Sequence, residues 1–217
     1  MSRRAALLLL ALCAAPLAAQ SGGGAAPLSS AADRALAREI FAELVGINTT
    51  HSTGSTTVAA EAMAARLRAA GLPAADVQVL EPVPRKGNLV ARYRGRGAGP
   101  AILLLAHLDV VEARREDWTV DPFVLTEQDG WFYGRGTIDD KAMAAIFVAN
   151  FVRMRRDGVV PDRDLVIALT ADEESGNDNG AEWLLRERPE LVRAAFVINE
   201  GGGGARRNGV RVANRVQ

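Results

Sequence analysis

Residues whose side chains suit metal binding follow the predicted strands of this sequence or begin a predicted helix. They are His107, Asp109, Asp139, Asp140, Glu173, Glu174 and Glu200. Zinc binds His nitrogen and carboxylate oxygen where thiolates are absent, and a catalytic zinc keeps one position open for water. The pattern therefore predicts a carboxylate-rich zinc site and, with it, a hydrolase.

Each of these residues also has an ordinary structural explanation. A His after an apolar strand is often a hydrogen-bonded structural residue, and Asp139 with Asp140 could serve only to cap a helix. Glu173 and Glu174 could form a solvated acidic turn, and Glu200 could be a plain loop residue. Their joint occurrence favours a metal, because carboxylates gathered at strand ends repel one another without a cation.

The glycine run after Glu200 raises a second idea, a phosphate cradle. Gly201 to Gly204 lack both the Lys-Ser/Thr ending of a P-loop and the GxGxxG spacing of a dinucleotide site. The sequence therefore disfavours phosphate binding at this position.

Charge and cysteine content restrict the partners and the metal ligands. The formal net charge is +0, from 26 basic and 26 acidic residues, so nothing directs the protein to nucleic acid or to an anionic membrane. A small-molecule substrate is predicted instead. The single cysteine, Cys13, lies in the N-terminal segment, so a chain processed there has neither disulfides nor thiolate ligands.

The N-terminus has the order of regions typical of a secretory signal. Two arginines precede an apolar stretch from Ala5 to Ala19, and small and polar residues follow it. The stretch is short for a membrane span, although an uncleaved anchor is the alternative. We expect a signal peptide over 1–19, a flexible linker over 20–30, export to the periplasm or the extracellular space, and no stable membrane anchor.

Hydrophobic periodicity predicts alternating helices and strands from about Ala31 onward. Helices are predicted near 36–45, 57–70, 140–158 and 180–187. Strands are predicted at 77–80, 89–93, 102–106, 131–133, 165–169 and 195–198. Asp140 stands at the N-cap position of the third helix. This alternation predicts an α/β fold with a mainly parallel mixed sheet, whose sites gather beyond the carboxyl ends of the strands.

Several motifs together resemble a known family. They are Ala-His-Leu-Asp-Val-Val (106–111), Trp118 with Asp-Pro-Phe (121–123), Tyr-Gly-Arg-Gly-Thr-Ile-Asp-Asp-Lys (133–141), Ala-Asp-Glu-Glu-Ser-Gly (171–176) and Asn-Glu-Gly-Gly (199–202). In this order they resemble the di-zinc metallopeptidases, the family of glutamate carboxypeptidase, aminoacylase, dipeptidase and succinyl-diaminopimelate desuccinylase. The resemblance implies a three-layer catalytic domain, with 31–217 as its N-terminal portion, truncated at the C-terminus and without the lid domain.

The resemblance also implies a role for each candidate residue. His107 and Glu200 would bind one zinc, Asp139 would bridge two zinc ions, and Glu174 would bind the second. Glu173 would be the general base. Two zinc ions are expected in the complete enzyme, and cobalt and manganese suit the same ligands.

Two further features follow from the resemblance. Asp109 would hold the imidazole of His107 in its metal-binding tautomer through the other ring nitrogen. A cis peptide bond is expected between Asp139 and Asp140.

One feature departs from the family pattern. The family takes a second zinc-binding His from far downstream, whereas the other histidine here is His51, in a polar segment where a solvated role is favoured over a ligand role. Two hypotheses result. The first is a zinc-dependent metallopeptidase or amidohydrolase, acting on peptide or N-acyl amino acid substrates through a metal-activated water and a Glu base. The second is an inactive fragment binding at most one zinc through His107, Asp139 and Glu200. Retention of Glu173, Glu174 and Asp139 disfavours a third reading, a non-catalytic relative.

Overall fold

A computed structural model describes residues 29–201, 203–208 and 210–215. The predicted signal peptide over 1–19, and the predicted linker up to residue 28, lie outside the described residues. The helices are α1 (Ala31–Gly46), α2 (Thr56–Ala69), α3 (Lys141–Arg156), α4 (Gly180–Glu187) and α5 (Pro189–Val192). The strands are β1 (Val77–Leu80), β2 (Asn88–Tyr93), β3 (Ile102–His107), β4 (Thr126–Gln128), β5 (Trp131–Tyr133), β6 (Leu165–Thr170), β7 (Phe196–Ile198), β8 (Gly203–Arg207) and β9 (Val210–Arg215).

The central sheet has five strands in the order β1-β2-β6-β3-β7. β3 pairs in parallel with both β6 and β7, while β2 runs antiparallel to its neighbours β1 and β6. All strands except β2 therefore point the same way, and the predicted mainly parallel mixed sheet is confirmed. β4 with β5, and β8 with β9, form separate antiparallel hairpins.

Helices cover both faces of the sheet and make three layers. α1, α2 and α3 enclose the larger core on one face, built around Ile40, Met63 and Phe151. On the other face α4 and α5 cover a smaller core that contains Val166 and Leu184. Because β6 is buried by both layers, it is a nearly continuous apolar run rather than an alternating one.

Local capping explains where the helices begin. Ser30 and Asp33 form a capping box at the start of α1, and the side chain of Asn179 accepts from two backbone N–H groups at the start of α4. Asp140 occupies the N-cap position of α3 as predicted, yet its side chain makes no capping bond. Its carboxylate instead faces the backbone N–H of His107, at 3.4 Å.

Two short strands and one short helix were not predicted from the sequence. These elements are β4, β8 and α5, and segments of three to five residues carry too few positions to establish a period.

Among the helices of the described residues, none has the length and apolar character needed to span a membrane.

Candidate metal centre

Three neighbouring parallel strands end where the predicted site residues begin. β3 ends at His107, β6 ends at Thr170 shortly before Glu173, and β7 ends at Ile198 shortly before Glu200. Because the carboxyl ends of parallel neighbours meet at one edge of the sheet, these residues come together although they are far apart in sequence. The start of α3, which packs on β3 and β6, brings Asp139 and Asp140 to the same edge.

His107 lies at the centre of the cluster and is buried. Its Nδ1 lies 2.9 Å from the backbone oxygen of Asp109, and since a carbonyl only accepts, Nδ1 donates to it. Its Nε2 faces the acidic side chains, with Asp139 Oδ1 at 2.8 Å, Glu200 Oε1 at 3.4 Å and Glu173 Oε2 at 4.0 Å. The imidazole is thus fixed with Nε2 directed at the carboxylates.

Two groups of side chains have the spacing of metal ligands, and they share His107. In one group His107, Asp140 and Glu200 have their potential ligand atoms within 4.8 Å of one another. In the other group the potential ligand atoms of His107, Asp139 and Glu174 also lie within 4.8 Å of one another. Neither group contains His51.

Asp109 links His107 to the turn that carries Glu173 and Glu174. Its carboxylate accepts hydrogen bonds from the backbone N–H of Glu173 at 3.1 Å and of Glu174 at 3.0 Å. Asp109 orients His107 through its backbone carbonyl, because the carbonyl oxygen lies 2.9 Å from Nδ1 whereas the carboxylate Oδ1 lies 3.6 Å from it. The main chain and the side chain of Asp109 therefore have separate structural roles.

The electrostatics of the cluster follow from burial and crowded negative charge. Burial alone would lower the pKa of the His107 imidazole, but the carboxylates of Asp109, Asp139 and Glu200 outweigh burial and raise this pKa to about 10. Burial, assisted by the charges of Glu200 and Asp139, raises the pKa of Asp140 to about 7.

Two more carboxylates show the same effect. Burial and the charge of Asp139 raise the pKa of Glu174, and the same two causes raise that of Glu200. Ionised carboxylates held this close favour a cation between them, and His with carboxylates is a donor set that divalent metals accept. The residues present therefore fit a metal.

His51 belongs to neither group of candidate ligands and lines a small pocket beside Asp109. The pocket, of about 20 Å³, is lined by the 49–56 segment, by the 84–86 turn and by Asp109, Asp172 and Ser175. His51 is half exposed, with its Nδ1 at 3.6 Å from Asp172 Oδ1.

The sequence analysis gave no ligand role to Asp140 and did not identify Lys141. Asp140, named there both as a metal-binding candidate and as a helix cap, belongs to one of the two candidate ligand groups, and the peptide bond that precedes it is cis, as the resemblance implies. Lys141 is fully buried, donates from Nζ to the backbone oxygen of Ile47 at 2.7 Å, and has its pKa lowered by burial to about 7. The sequence feature that could have drawn attention to Lys141 is its position directly after Asp139 and Asp140.

A family model decides the classification. The model described as peptidase family M20/M25/M40 matches residues 103–213, just over half of the chain. The chain belongs to this peptidase family. The match contains His107, both acidic pairs and Glu200, so the predicted membership of the metallopeptidase family of aminoacylase and succinyl-diaminopimelate desuccinylase is confirmed.

Curated relatives are consistent with membership of the M20 family. The N-fatty-acyl-amino acid synthase/hydrolase PM20D1 of Xenopus tropicalis is 40% identical over 100 residues, which are 46% of this chain and 20% of the relative. Aminoacylase-1 of Sus scrofa is 35% identical over 130 residues, which are 57% of this chain and 31% of the relative. The chain thus matches between a fifth and a third of the length of these relatives.

Solved structures share the fold of this M20 chain. The crystal structure of the YXEP protein of Bacillus subtilis, described as a dinuclear metal binding peptidase, superposes with a TM-score of 0.56 at 16% identity. The superposition covers 79% of this chain and 43% of the YXEP chain. At this identity the likeness establishes the fold alone.

Proposed function

We propose that this protein is a zinc-dependent metallopeptidase or amidohydrolase that hydrolyses the amide bond of peptides or N-acyl amino acids. The observation that carries the proposal is that several carboxylates converge on Nε2 of the His107 imidazole, at the carboxyl ends of β3, β6 and β7. The substrate class is supported by the hydrolase and aminoacylase named among the relatives.

The proposed metal ligands are His107, Asp139, Glu174 and Glu200. Asp139 would hold a metal together with His107, since its Oδ1 lies 2.8 Å from Nε2 of His107 and its side chain is half exposed toward solvent. A bound divalent metal supplies Lewis acidity, lowering the pKa of a water molecule and polarising the substrate carbonyl. Zinc is the proposed metal because His and carboxylate ligands without thiolate suit catalytic zinc.

Glu173 is the proposed general base. Its side chain is about half exposed, and its Oε2 lies 4.0 Å from Nε2 of His107, so it borders the cluster without being enclosed by it. The carboxylate accepts a proton from the attacking water and later delivers it to the nitrogen of the departing amine. The amide C–N bond breaks, and the products are a carboxylic acid and an amine.

Asp109 is the proposed orienting residue. Its carbonyl accepts from Nδ1 of His107, so Nε2 is the ring nitrogen that would bind a metal once its proton is released. Its carboxylate anchors the backbone of Glu173 and Glu174, so the proposed base and one proposed ligand keep a fixed relation to the imidazole.

A second candidate function is metal binding without turnover. It is favoured by the finding that, within the described part of the chain, His107 alone supplies imidazole to either ligand group. About one zinc per chain with no amide hydrolysis would support this candidate, whereas about two with turnover would support the hydrolase.

The decisive experiment replaces Glu173 by Gln. Hydrolysis of N-acyl amino acids and dipeptides by the zinc-loaded protein should fall by about 10²–10⁴-fold, while zinc content stays unchanged. Glu182→Gln, at a highly exposed glutamate of α4, is the matched control and should leave hydrolysis unaltered. Retained hydrolysis in Glu173→Gln would exclude Glu173 as the base, and loss of zinc together with activity would instead make it a ligand.

We further propose that the protein is exported. The basis is the basic and then apolar order of residues 1–19. Export is tested by N-terminal sequencing of protein recovered from outside the cytoplasm, which should begin near Gln20. An intact Met1 on protein confined to the cytoplasm would contradict export.

A further inference from the structure

The turn that carries Glu173 and Glu174 is held by a lysine from a distant part of the chain. Nζ of Lys86 lies 2.9 Å from Oδ2 of Asp172 and 2.9 Å from Oδ2 of Asp178, so it joins both ends of the 172–178 turn. The side chain of Lys86 is partly buried, at 18% exposed, and that of Asp172 is only 3% exposed. The ammonium group of Lys86 is therefore partly shielded from solvent beside the Asp172 carboxylate.

Asp172 is the residue through which this contact reaches the turn. Its φ of 63° lies in the left-handed region, which Asp adopts more readily than most residues, and it reverses the chain just after β6. Its carboxylate also accepts from the hydroxyl of Ser175 and, at 2.6 Å, from the backbone N–H of Asp178. Asp172 thus closes the turn on itself while Lys86 ties it to the neighbouring segment.

The segment that contains Lys86 is itself fixed to the base of the same turn. Asn88 is fully buried, and its Oδ1 accepts from the backbone N–H of Ala171 at 2.9 Å. Its Nδ2 donates to the backbone oxygen of Leu80 at 3.3 Å. Lys86 therefore belongs to a segment anchored beside the turn.

Charge explains why the turn needs such a contact. Asp172, Glu173, Glu174 and Asp178 are four acidic residues within seven positions, and the charge of Asp139 acts on Glu174 while that of Glu173 acts on Glu200. Like charges at this density repel one another and favour an open turn, and a partly buried cation against the base of the turn opposes that repulsion. Asp109 holds the amides of Glu173 and Glu174 on one side, while Lys86 holds Asp172 on the other.

We propose that Lys86 is a positioning residue that acts through Asp172 to fix the backbone of Glu173 and Glu174 for metal binding and proton transfer. The proposal rests on the proposed function, because it takes Glu173 as the base and Glu174 as a ligand. Lys86 itself touches neither carboxylate.

The test compares three variants of the full protein. Lys86→Met removes the ammonium group and keeps an apolar stem, and Lys86→Arg keeps a cation. Arg85→Met is the matched control, because the Arg85 side chain donates to the backbone oxygens of Ser52 and Gly54 rather than to the turn. Two quantities are measured: amide hydrogen exchange across 172–178 in the metal-free protein, and the dissociation constant for Zn²⁺.

We expect Lys86→Met to speed exchange at the amides of Glu173 and Glu174 by about 10-fold or more, with exchange in α1 and α3 unchanged. Zn²⁺ affinity should fall by about 10–100-fold, the usual effect of losing a residue that supports metal ligands. Lys86→Arg should restore most of both, and Arg85→Met should change neither.

Wild-type exchange and Zn²⁺ affinity in Lys86→Met would overturn the proposal, as would equal effects in Lys86→Met and Arg85→Met. Faster exchange throughout the protein would reduce Lys86 to a residue of general stability and would overturn it too. If the unchanged protein bound no Zn²⁺, the proposed function would fail instead, and exchange at the turn would still decide whether Lys86 fixes it.

Discussion

The carboxylate of Asp109 accepts a hydrogen bond from the backbone N–H of Glu173, with 3.1 Å between Oδ1 and N. The carbonyl of the same residue accepts from His107 on β3, whereas Glu173 follows β6. One buried aspartate therefore sets the relation between an imidazole and a carboxylate that are 66 residues apart in sequence. This relation would hold the proposed ligand and the proposed base in one geometry.

Replacing Asp109 by Asn tests this relation, because the carbonyl bond to His107 survives while one of the two carboxylate acceptors becomes an NH₂ donor. Zn²⁺ affinity should fall by about 10–100-fold, and the free energy of unfolding by about 1–3 kcal/mol. Calorimetric zinc titration and urea unfolding measure the two effects. Asp117→Asn, at the end of an exposed 3₁₀ turn, is the control, and an Asp109→Asn protein indistinguishable from it would contradict the role of the carboxylate.

A second prediction concerns the close approach of α4 to β2. A Cβ on Gly180 would lie 1.8 Å from Oδ1 of Asn88, the atom that accepts from the backbone N–H of Ala171. Gly180→Ala must displace Asn88, and we expect it to lower the free energy of unfolding by about 2–4 kcal/mol.

Gly46→Ala is the control for this substitution. A Cβ at Gly46 would meet its nearest neighbour, the backbone oxygen of Phe123, at an ordinary 3.7 Å. Its effect on the free energy of unfolding should stay within about 1 kcal/mol, on the stabilising side. Equal urea midpoints for the two variants would show that the Asn88 contact is not rigid.

The third prediction is a pH dependence at Asp164. Burial alone would raise the pKa of this carboxyl, but hydrogen bonds from the backbone N–H of Gly95 and from Arg92 outweigh burial and lower it below 3.8. A lowered folded-state pKa stabilises the fold above the unfolded-state pKa, and this stabilisation is lost as the pH falls through the folded-state value.

Asp164→Asn should therefore cost about 1–2 kcal/mol of unfolding free energy at pH 7, and the difference from the unchanged protein should shrink as the pH falls through the folded-state pKa of Asp164. Urea unfolding at a series of pH values measures it. Asp162→Asn, at a highly exposed partner of Arg96, should cost less than about 0.5 kcal/mol at pH 7. A difference for Asp164→Asn that is constant from pH 7 to pH 3 would rule out the ionised carboxylate as its source.

The sequence was sufficient to predict the fold class and the proximity of most candidate site residues, because both follow from the alternation of strands and helices. Parallel strands bring their carboxyl ends to one edge, so finding His107, Glu173 and Glu200 beyond predicted strand ends was enough to place them together. The apolar periodicity of α1 to α3 was long enough to locate those helices within a few residues.

The remaining features depend on pairings that no local pattern encodes. The reversed direction of β2, and with it the position of Lys86 beside Asp172, follows from strand order, and these two residues are 86 positions apart. The turn of the Asp140 carboxylate away from α3 toward His107 depends on the packing of that helix against β3. Sequence periodicity carries information on neither.

Zinc titration of the unchanged protein and of His107→Ala is the sharpest test of the proposed metal centre. His107 belongs to both candidate ligand groups, so its imidazole should be required for tight binding at either one. We predict a saturable calorimetric signal for the unchanged protein, and a loss of affinity of at least about 100-fold in His107→Ala with its fold retained by circular dichroism. His51→Ala, at the other histidine, should bind zinc as the unchanged protein does. Equal zinc affinity in His107→Ala and the unchanged protein would show that His107 is not a zinc ligand.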